Sequence, residues 1–308
     1  MKTIKILAFS LMATSGMLLI SCGDDDSNGN DLPPIGGYNN ADEVGAADLL
    51  AYWPLNGNGE EDISGTMPTS SVGATYVDAV KGQGVKLNSG YLNYPTISNL
   101  NVQNTSLTVS FWCKISNTKL VVDGVSTISP IISFTGGPNV NVGNLSIFGN
   151  THGLVSSDSI QLKAEYHFAM PDGTSSFNGD CINMIKQETW MDETHTWNAN
   201  KIGGQWAHVV YVWDATTART RIYVNGVKIS NAAWEARNVV DGVDMPMPMS
   251  FFTPTHPIIG ALATVVDGTN TDTWNAALKG EVDEIRVWKK MLIQADINAL
   301  YELEKAGR

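Results

Sequence analysis

Trp190 and Trp197 bracket a polar octet, Trp190-Met191-Asp192-Glu193-Thr194-His195-Thr196-Trp197. An exposed indole offers a flat apolar face that can cover a sugar ring, while Asp192, Glu193, His195, Asn198 and Asn200 can bond hydroxyls. The same indoles can instead pin their segment to a neighbouring core as a satellite cluster, and the residues alone leave both uses open. A second concentration of chemistry is Glu281-Val282-Asp283-Glu284. Strand alternation places Asp283 on the side of Ile285 and Val287, which makes it a part-buried carboxylate that requires a partner. His152, His167, His195, His208 and His256 show no metal-ligand spacing, and no nucleophile–base pair stands out.

These residues need a scaffold, and the pattern around them is β. Leu107, Val109, Phe111, Cys113 and Ile115 alternate with Thr108, Ser110, Trp112 and Lys114. Leu162, Ala164, Tyr166 and Phe168 give residues 161–170 an apolar face of the same kind. Residues 208–213 are apolar on both faces, as in a buried strand. Asn225-Gly226 inside residues 221–229 marks a tight hairpin, and residues 280–288 form another strand. Only residues 293–304 carry helical spacing, with Ile293, Ile297, Leu300 and Tyr301 on one side. Short strands with turn residues between them predict an all-β sandwich or jelly roll. There is no internal repeat.

The chain has 308 residues and a formal net charge of −12, with no basic patch, so nucleic acid is excluded as an expected partner. Residues 1–21 read as an export signal: Lys2 and Lys5 precede an apolar run, Ile6 to Ile20, shorter than the roughly 20 residues of a membrane span. The run ends in Leu19-Ile20-Ser21-Cys22, which resembles the lipobox of bacterial lipoproteins and implies that Cys22 becomes an acylated N-terminus. Asp24-Asp25-Asp26 resembles the address that sends lipoproteins of Bacteroides-like bacteria to the outer face of the outer membrane. Residues 22–46, rich in Asp, Asn, Gly and Pro, are expected to be a flexible tether. Cys113 has the strand parity of a core residue, whereas Cys181 sits in a polar stretch; export permits a disulfide between them, while such different settings favour unpaired thiols.

Seven segments then carry a resemblance. Leu50-Ala51-Tyr52-Trp53-Pro54-Leu55 with Asp62-Ile63-Ser64-Gly65, Gly82 to Leu87, Leu107 to Trp112, Trp206 to Val210, Arg221 to Gly226, Ile259-Gly260 and Gly280 to Trp288 are similar, in order, to the laminin-G-like (concanavalin A-like lectin/glucanase) domains of bacterial surface proteins. The resemblance implies, for residues 47–308, a concanavalin A-like jelly-roll β-sandwich of two antiparallel sheets with the first and last strands adjacent and a short C-terminal helix. It implies that His208 is structural and that residues 136–204 are an insertion. It also implies a structural Ca²⁺ between Asp62, Gly65 and Asp283, with backbone carbonyls near Gly65 completing oxygen coordination. Glu281 to Glu284 further resembles a glucanase strand, but Ile285 stands where a retaining mechanism requires the second carboxylate.

The expected function is therefore carbohydrate binding by a surface lipoprotein, with Trp190, Trp197, Asp192, His195 and Asn200 at the site. The lipoproteins it resembles accompany SusC/SusD-type importers; a non-catalytic interaction subunit is the alternative, and a glycoside hydrolase ranks below both. Cys22→Ala is expected to leave the leader attached and to release the protein from the membrane fraction. Intact-mass measurement checks this, and an acylated, membrane-bound variant would refute it.

Overall fold

A computed structural model describes residues 32–119, 126–151, 156–173 and 175–308; Cys22 and residues 1–21 lie outside them. The strands are β1 (Leu49–Trp53), β2 (Ser70–Asp78), β3 (Gln83–Asn93), β4 (Leu107–Ile115) and β5 (Ser129–Phe134). They continue as β6 (Leu145–Gly149), β7 (Leu162–Ala169), β8 (Ser176–Ile182), β9 (Ala207–Asp214) and β10 (Arg219–Val224). The last are β11 (Val227–Lys228), β12 (Val239–Val240), β13 (Val243–Asp244), β14 (Pro257–Ile259) and β15 (Leu278–Trp288), with helices α1 (Ala263–Val266) and α2 (Gln294–Lys305).

The fold is the expected antiparallel jelly roll, with its two layers joined by continuous hydrogen bonding. The sheet order is β11-β10-β9-β4-β15-β3-β14-β5-β6-β7-β8, with β1 beside β15 and β2 beside β3. Strand β3 makes the corner: Val85 to Gly90 pair with β15, whereas Leu92 and Asn93 pair with β14. The first and last strands are neighbours, with Tyr52 opposite Arg286 and Trp53 opposite Ile285. Asn225 and Gly226 form the two-residue turn between β10 and β11, at φ values of 49° and 79°.

Between the layers lies one apolar core. Val109, Phe111, Tyr211 and Trp213 from one half meet Ile132, Ile147, Ala164, Tyr166 and Phe168 from the other. Trp213 takes Tyr166 and Phe168 edge-on, at 5.2 and 5.1 Å between ring centroids, so one indole ties the two layers together. Both Cys113 and Cys181 are free and buried in this core. Cys181 lies opposite Ala164 on the inward face of β8, so its polar sequence neighbours misrepresent its setting.

Three further expectations are corrected. Residues 136–204 are not an excursion from the sandwich, because they contain β6, β7 and β8. Part of the supposed tether is packed: Ala41 and Val44 are buried with Val210, Trp288, Leu292, Leu300 and Leu303 in a second cluster. Two residues there are apolar enough to bury once a surface exists to receive them. Finally, β15 does not alternate throughout. A bulge between Asp283 and Arg286, with Glu284 at φ 48°, lets both Val282 and Ile285 face the core and turns Asp283 away from it.

That second cluster covers the outward face of β9 and the Trp288 end of β15, so β9 is buried on both sides. Helix α2 lies there through Ile297, Leu300 and Leu303, whereas Ile293 precedes the helix and is 51 % exposed. Beneath α2 is a buried charge network centred on Arg286. Its Nη2 reaches Glu284 at 2.9 Å and Asp42 at 2.8 Å, and its Nη1 pairs with Glu304. Trp112 Nε1 donates to Glu304 at 2.7 Å, Tyr52 donates to Glu284 at 2.9 Å, and the guanidinium lies 4.0 Å from the centroid of the Tyr52 ring. His208 Nε2 is 2.9 Å from Ser110 Oγ and 3.5 Å from Glu304, and is structural as expected. Burial, with Arg286 adding to it, pushes the His208 pKa down to about 3.

Two predictions follow from this network. Removing one member of a buried ion pair leaves the other uncompensated, so Glu304→Ala is expected to cost about 3–5 kcal/mol in urea unfolding. A loss below about 1 kcal/mol would show that the network does not pin α2. His208 is neutral when folded but takes a proton near pH 6.5 when unfolded. Its contribution to stability is thus complete above that pH and declines as pH falls toward about 3. His208→Gln is expected to flatten the acid limb of the urea midpoint relative to the parent chain, and parallel limbs would refute the assignment.

Candidate functional site

Alternation along β7 turns Lys163, Glu165 and His167 outward while Leu162, Ala164, Tyr166 and Phe168 fill the core. Pairing sets Phe148, Lys163 and Ile182 in one outward row and Ser146, Glu165 and Asp180 in the next. Two clefts lie on this surface and share Thr151 and Lys163. One, of about 370 Å³, is lined by Gln161, Lys163, Asp180, Ile182, Met184, Trp190 and Trp234. The other, of about 340 Å³, includes Asn139, Asn141, Phe148, Lys163, Glu165 and Trp274.

Trp190 and Trp234 stack at 5.9 Å with 15° between their planes, and Trp190 remains 55 % exposed. The His195 ring stands edge-on to both, at 5.1 Å from Trp190 and 5.7 Å from Trp234. Asp192 Oδ1 fixes that ring through Nδ1 at 2.9 Å and also accepts from the Thr194 amide and hydroxyl. Hydrogen bonds from Thr194 and His195 hold the Asp192 carboxyl down at about 2. A second set of bonds docks this loop on the Trp234 turn. The Thr196 amide donates to Asn231 Oδ1 at 3.0 Å, its hydroxyl donates to the Ser230 carbonyl at 3.0 Å, and Ala232 N donates to that hydroxyl at 2.9 Å.

On the floor, Lys163 Nζ lies 2.9 Å from Glu165 and 3.2 Å from Asp180. Burial opposes its charge, but Glu165 and Asp180 outweigh burial and raise its pKa, so the ammonium persists at neutral pH. His167 continues the line, 3.8 Å from Glu165 and 3.2 Å from Asn139 Nδ2. The groove therefore joins apolar indole walls to a floor of alternating donors and acceptors, the combination that suits a polyhydroxylated ring. Both floor carboxylates pair with the same ammonium.

Of the five ligand residues expected from sequence, Trp190 alone lines either of these two clefts. Asp192 and His195 hold the indole pair from behind. Trp197 is 50 % exposed but bridges through its backbone to Met184, outside the lining. Asn200 is buried at φ 44°, donating to the Ile160 carbonyl at 2.8 Å, and so shapes a turn. Trp234 and Trp274 lie in loop-like segments, which offers them for the same surface without placing them, and they line the two clefts; the outward residues of β7 and β8 were not singled out from the sequence. Alternation marks Lys163 and Glu165 as outward, but nothing local says that the indoles 27 and 71 residues from Lys163 gather over them.

The calcium set does not fit either. Asp283 Oδ2 accepts from the amides of Val80 and Lys81, both at 3.0 Å, and Oδ1 accepts from that of Glu284 at 2.9 Å. Burial, opposed by these bonds, pushes its pKa up to about 7. Asp62 is exposed, and the inward carboxylate of that loop is Glu61, which accepts from the amides of Tyr52, Ile63 and Ser64. Gly65, at φ 66°, makes the turn. These carboxylates hold backbone amides, and among the described residues no group of three or more His, Cys, Asp or Glu is placed to hold a metal.

A curled antiparallel jelly roll of this topology defines a lectin/glucanase-like class of fold. The chain belongs to the concanavalin A-like lectin/glucanases superfamily: the laminin G type family model matches residues 87–298. In fold it is similar to the binding domain of Paraclostridial Mosquitocidal Protein 1 (TM-score 0.50, 13 % identity, 83 % of this chain and 52 % of that one). It is likewise similar to the botulinum neurotoxin serotype G binding domain (TM-score 0.50, 11 % identity, 83 % and 51 %). The match thus spans about half of each of those chains. Domain 4 of AbnA, an extracellular arabinanase from Geobacillus stearothermophilus solved with arabinotriose, aligns at TM-score 0.47 and 18 % identity over 82 % of this chain and 98 % of that one. No curated protein matches.

Proposed function

We propose that this chain binds carbohydrate, without cleaving it, in the groove between Trp190/Trp234 and Trp274. The observation that carries the reading is the stacked indole pair set beside Lys163, Glu165 and Asp180. Membership of a lectin/glucanase superfamily supports it. Against cleavage, Glu281 pairs with Lys86 and Lys114, Asp283 holds three amides, and Glu284 is buried against Arg286. The lipobox-like Cys22 and the acidic Asp24-Asp25-Asp26 support display on the outer face of the outer membrane, where the protein captures polysaccharide for a SusC/SusD-type importer. Lateral clustering there raises the effective affinity of individually weak contacts.

A second reading, an interaction subunit that touches no sugar, is favoured by the β12–β13 hairpin, where Val239, Val240 and Val243 are 50, 52 and 60 % exposed. Affinity electrophoresis against a panel of neutral polysaccharides separates the two. Retardation by at least one polymer is expected, without release of reducing sugar. An aromatic contact contributes on the order of 1 kcal/mol, so Trp190→Ala and Trp234→Ala are each expected to weaken it about five- to tenfold at an unchanged melting temperature. Trp197→Ala, outside the cleft, is expected to leave it intact. No retardation on any polymer by the folded chain would favour the second reading, and product release would overturn the non-catalytic one.

A further inference from the structure

A further cleft, of about 850 Å³, lies elsewhere and shares no lining residue with the groove. Its floor is the outward face of β2, β3, β15 and β4. Register sets Lys86, Glu281 and Lys114 side by side across three strands, with Thr75 beyond Lys86. Lys279 precedes Glu281 by two residues on the same face, opposite Asn88. The lining thus holds three ammonium groups against one carboxylate, in a chain whose net charge is −12. Such a local reversal of sign concentrates anions where the rest of the surface repels them.

Two of the three cations are also held in place. Glu281 lies 3.6 Å from Lys86 Nζ and 3.3 Å from Lys114 Nζ and is itself only 15 % exposed, whereas those lysines are 54 and 39 % exposed. Lys279 is exposed and makes no ion pair among the described residues. Around them stand Ser71, Thr75, Asn88 and Ser116, neutral groups suited to hydroxyls.

We infer that this cleft is a separate binding site for an acidic saccharide, a sugar chain whose carboxylate or sulfate sits among Lys86, Lys114 and Lys279. The site does not rest on the indole groove. Lysine gives point-charge recognition without the bidentate geometry of arginine, so carboxylate and sulfate share the same chemistry here. Glu281 orders Lys86 and Lys114 but competes with the ligand for them.

The test is calorimetric titration of the full folded chain with oligogalacturonate, with its methyl ester, and with a sulfated dextran oligosaccharide. At least one acidic probe is expected to bind, at least about tenfold more tightly than the neutral ester, and to weaken as salt rises toward about 0.5 M. Whichever acidic probe binds identifies the anion. Lys86→Gln/Lys114→Gln/Lys279→Gln is expected to abolish the preference at unchanged melting temperature. Glu281→Gln, which frees two lysines, is expected to tighten acidic binding about threefold or more. Trp190→Ala/Trp234→Ala is expected to leave it untouched, so failure of either site is read independently. Equal affinity for acid and ester, no binding of any acidic probe, or full binding by the triple variant would overturn the inference.

Discussion

Arg286 is 1 % exposed, and a guanidinium removed from water requires carboxylates beside it. The acceptors come from Asp42, Glu284 of the β15 bulge and Glu304 near the end of α2, while Tyr52 of β1 covers its face. Four segments remote in sequence therefore have one compatible arrangement. Apolar packing of α2 would tolerate some sliding along the sheet, because dispersion has little directionality. A buried charge does not, and in this way Arg286 sets where the C-terminal helix and the N-terminal strap lie.

That placement decides which surfaces stay open. Helix α2 takes the outward face of β4 through Trp112, which stacks on Tyr301 and donates to Glu304. Two residues further along the same face, Lys114 already belongs to the cationic cleft. On the other layer, the loops after β8 and β11 gather Trp190 and Trp234 over the outward face of β7. One sheet, curled at β3, thus offers two chemically opposed recesses: an aromatic groove and a lysine-lined cleft.

Much of the fold was legible in the residues. Strict alternation in β4 and β7 marked their inward faces, and Asn225-Gly226 marked its hairpin, because these signals are local and periodic. Elsewhere tertiary context overruled the pattern. Glu284 in a left-handed conformation shifts the face of everything before it in β15, which is why Asp283 turns from the core to hold the loop at Val80 and Lys81. Asp62 and Glu61 are adjacent carboxylates, and their order in the sequence does not say that Glu61 is the one turned inward onto the amides of Tyr52, Ile63 and Ser64.

The binding residues divide along the same line. Sequence by itself determined the acidic balance and the candidacy of Trp190, since the exposure of an indole in a polar run is written into neighbouring residues, whereas the adjacency of the first and last strands was implied by the family resemblance. Tertiary structure alone decided that Trp190 pairs with Trp234 rather than Trp197, that Asn200 shapes a turn, and that Lys86, Lys114 and Lys279 surround Glu281. Contacts between residues dozens to nearly two hundred positions apart depend on how the sheet curls and where strands register. That geometry is set by the whole core at once, and no window of sequence contains it.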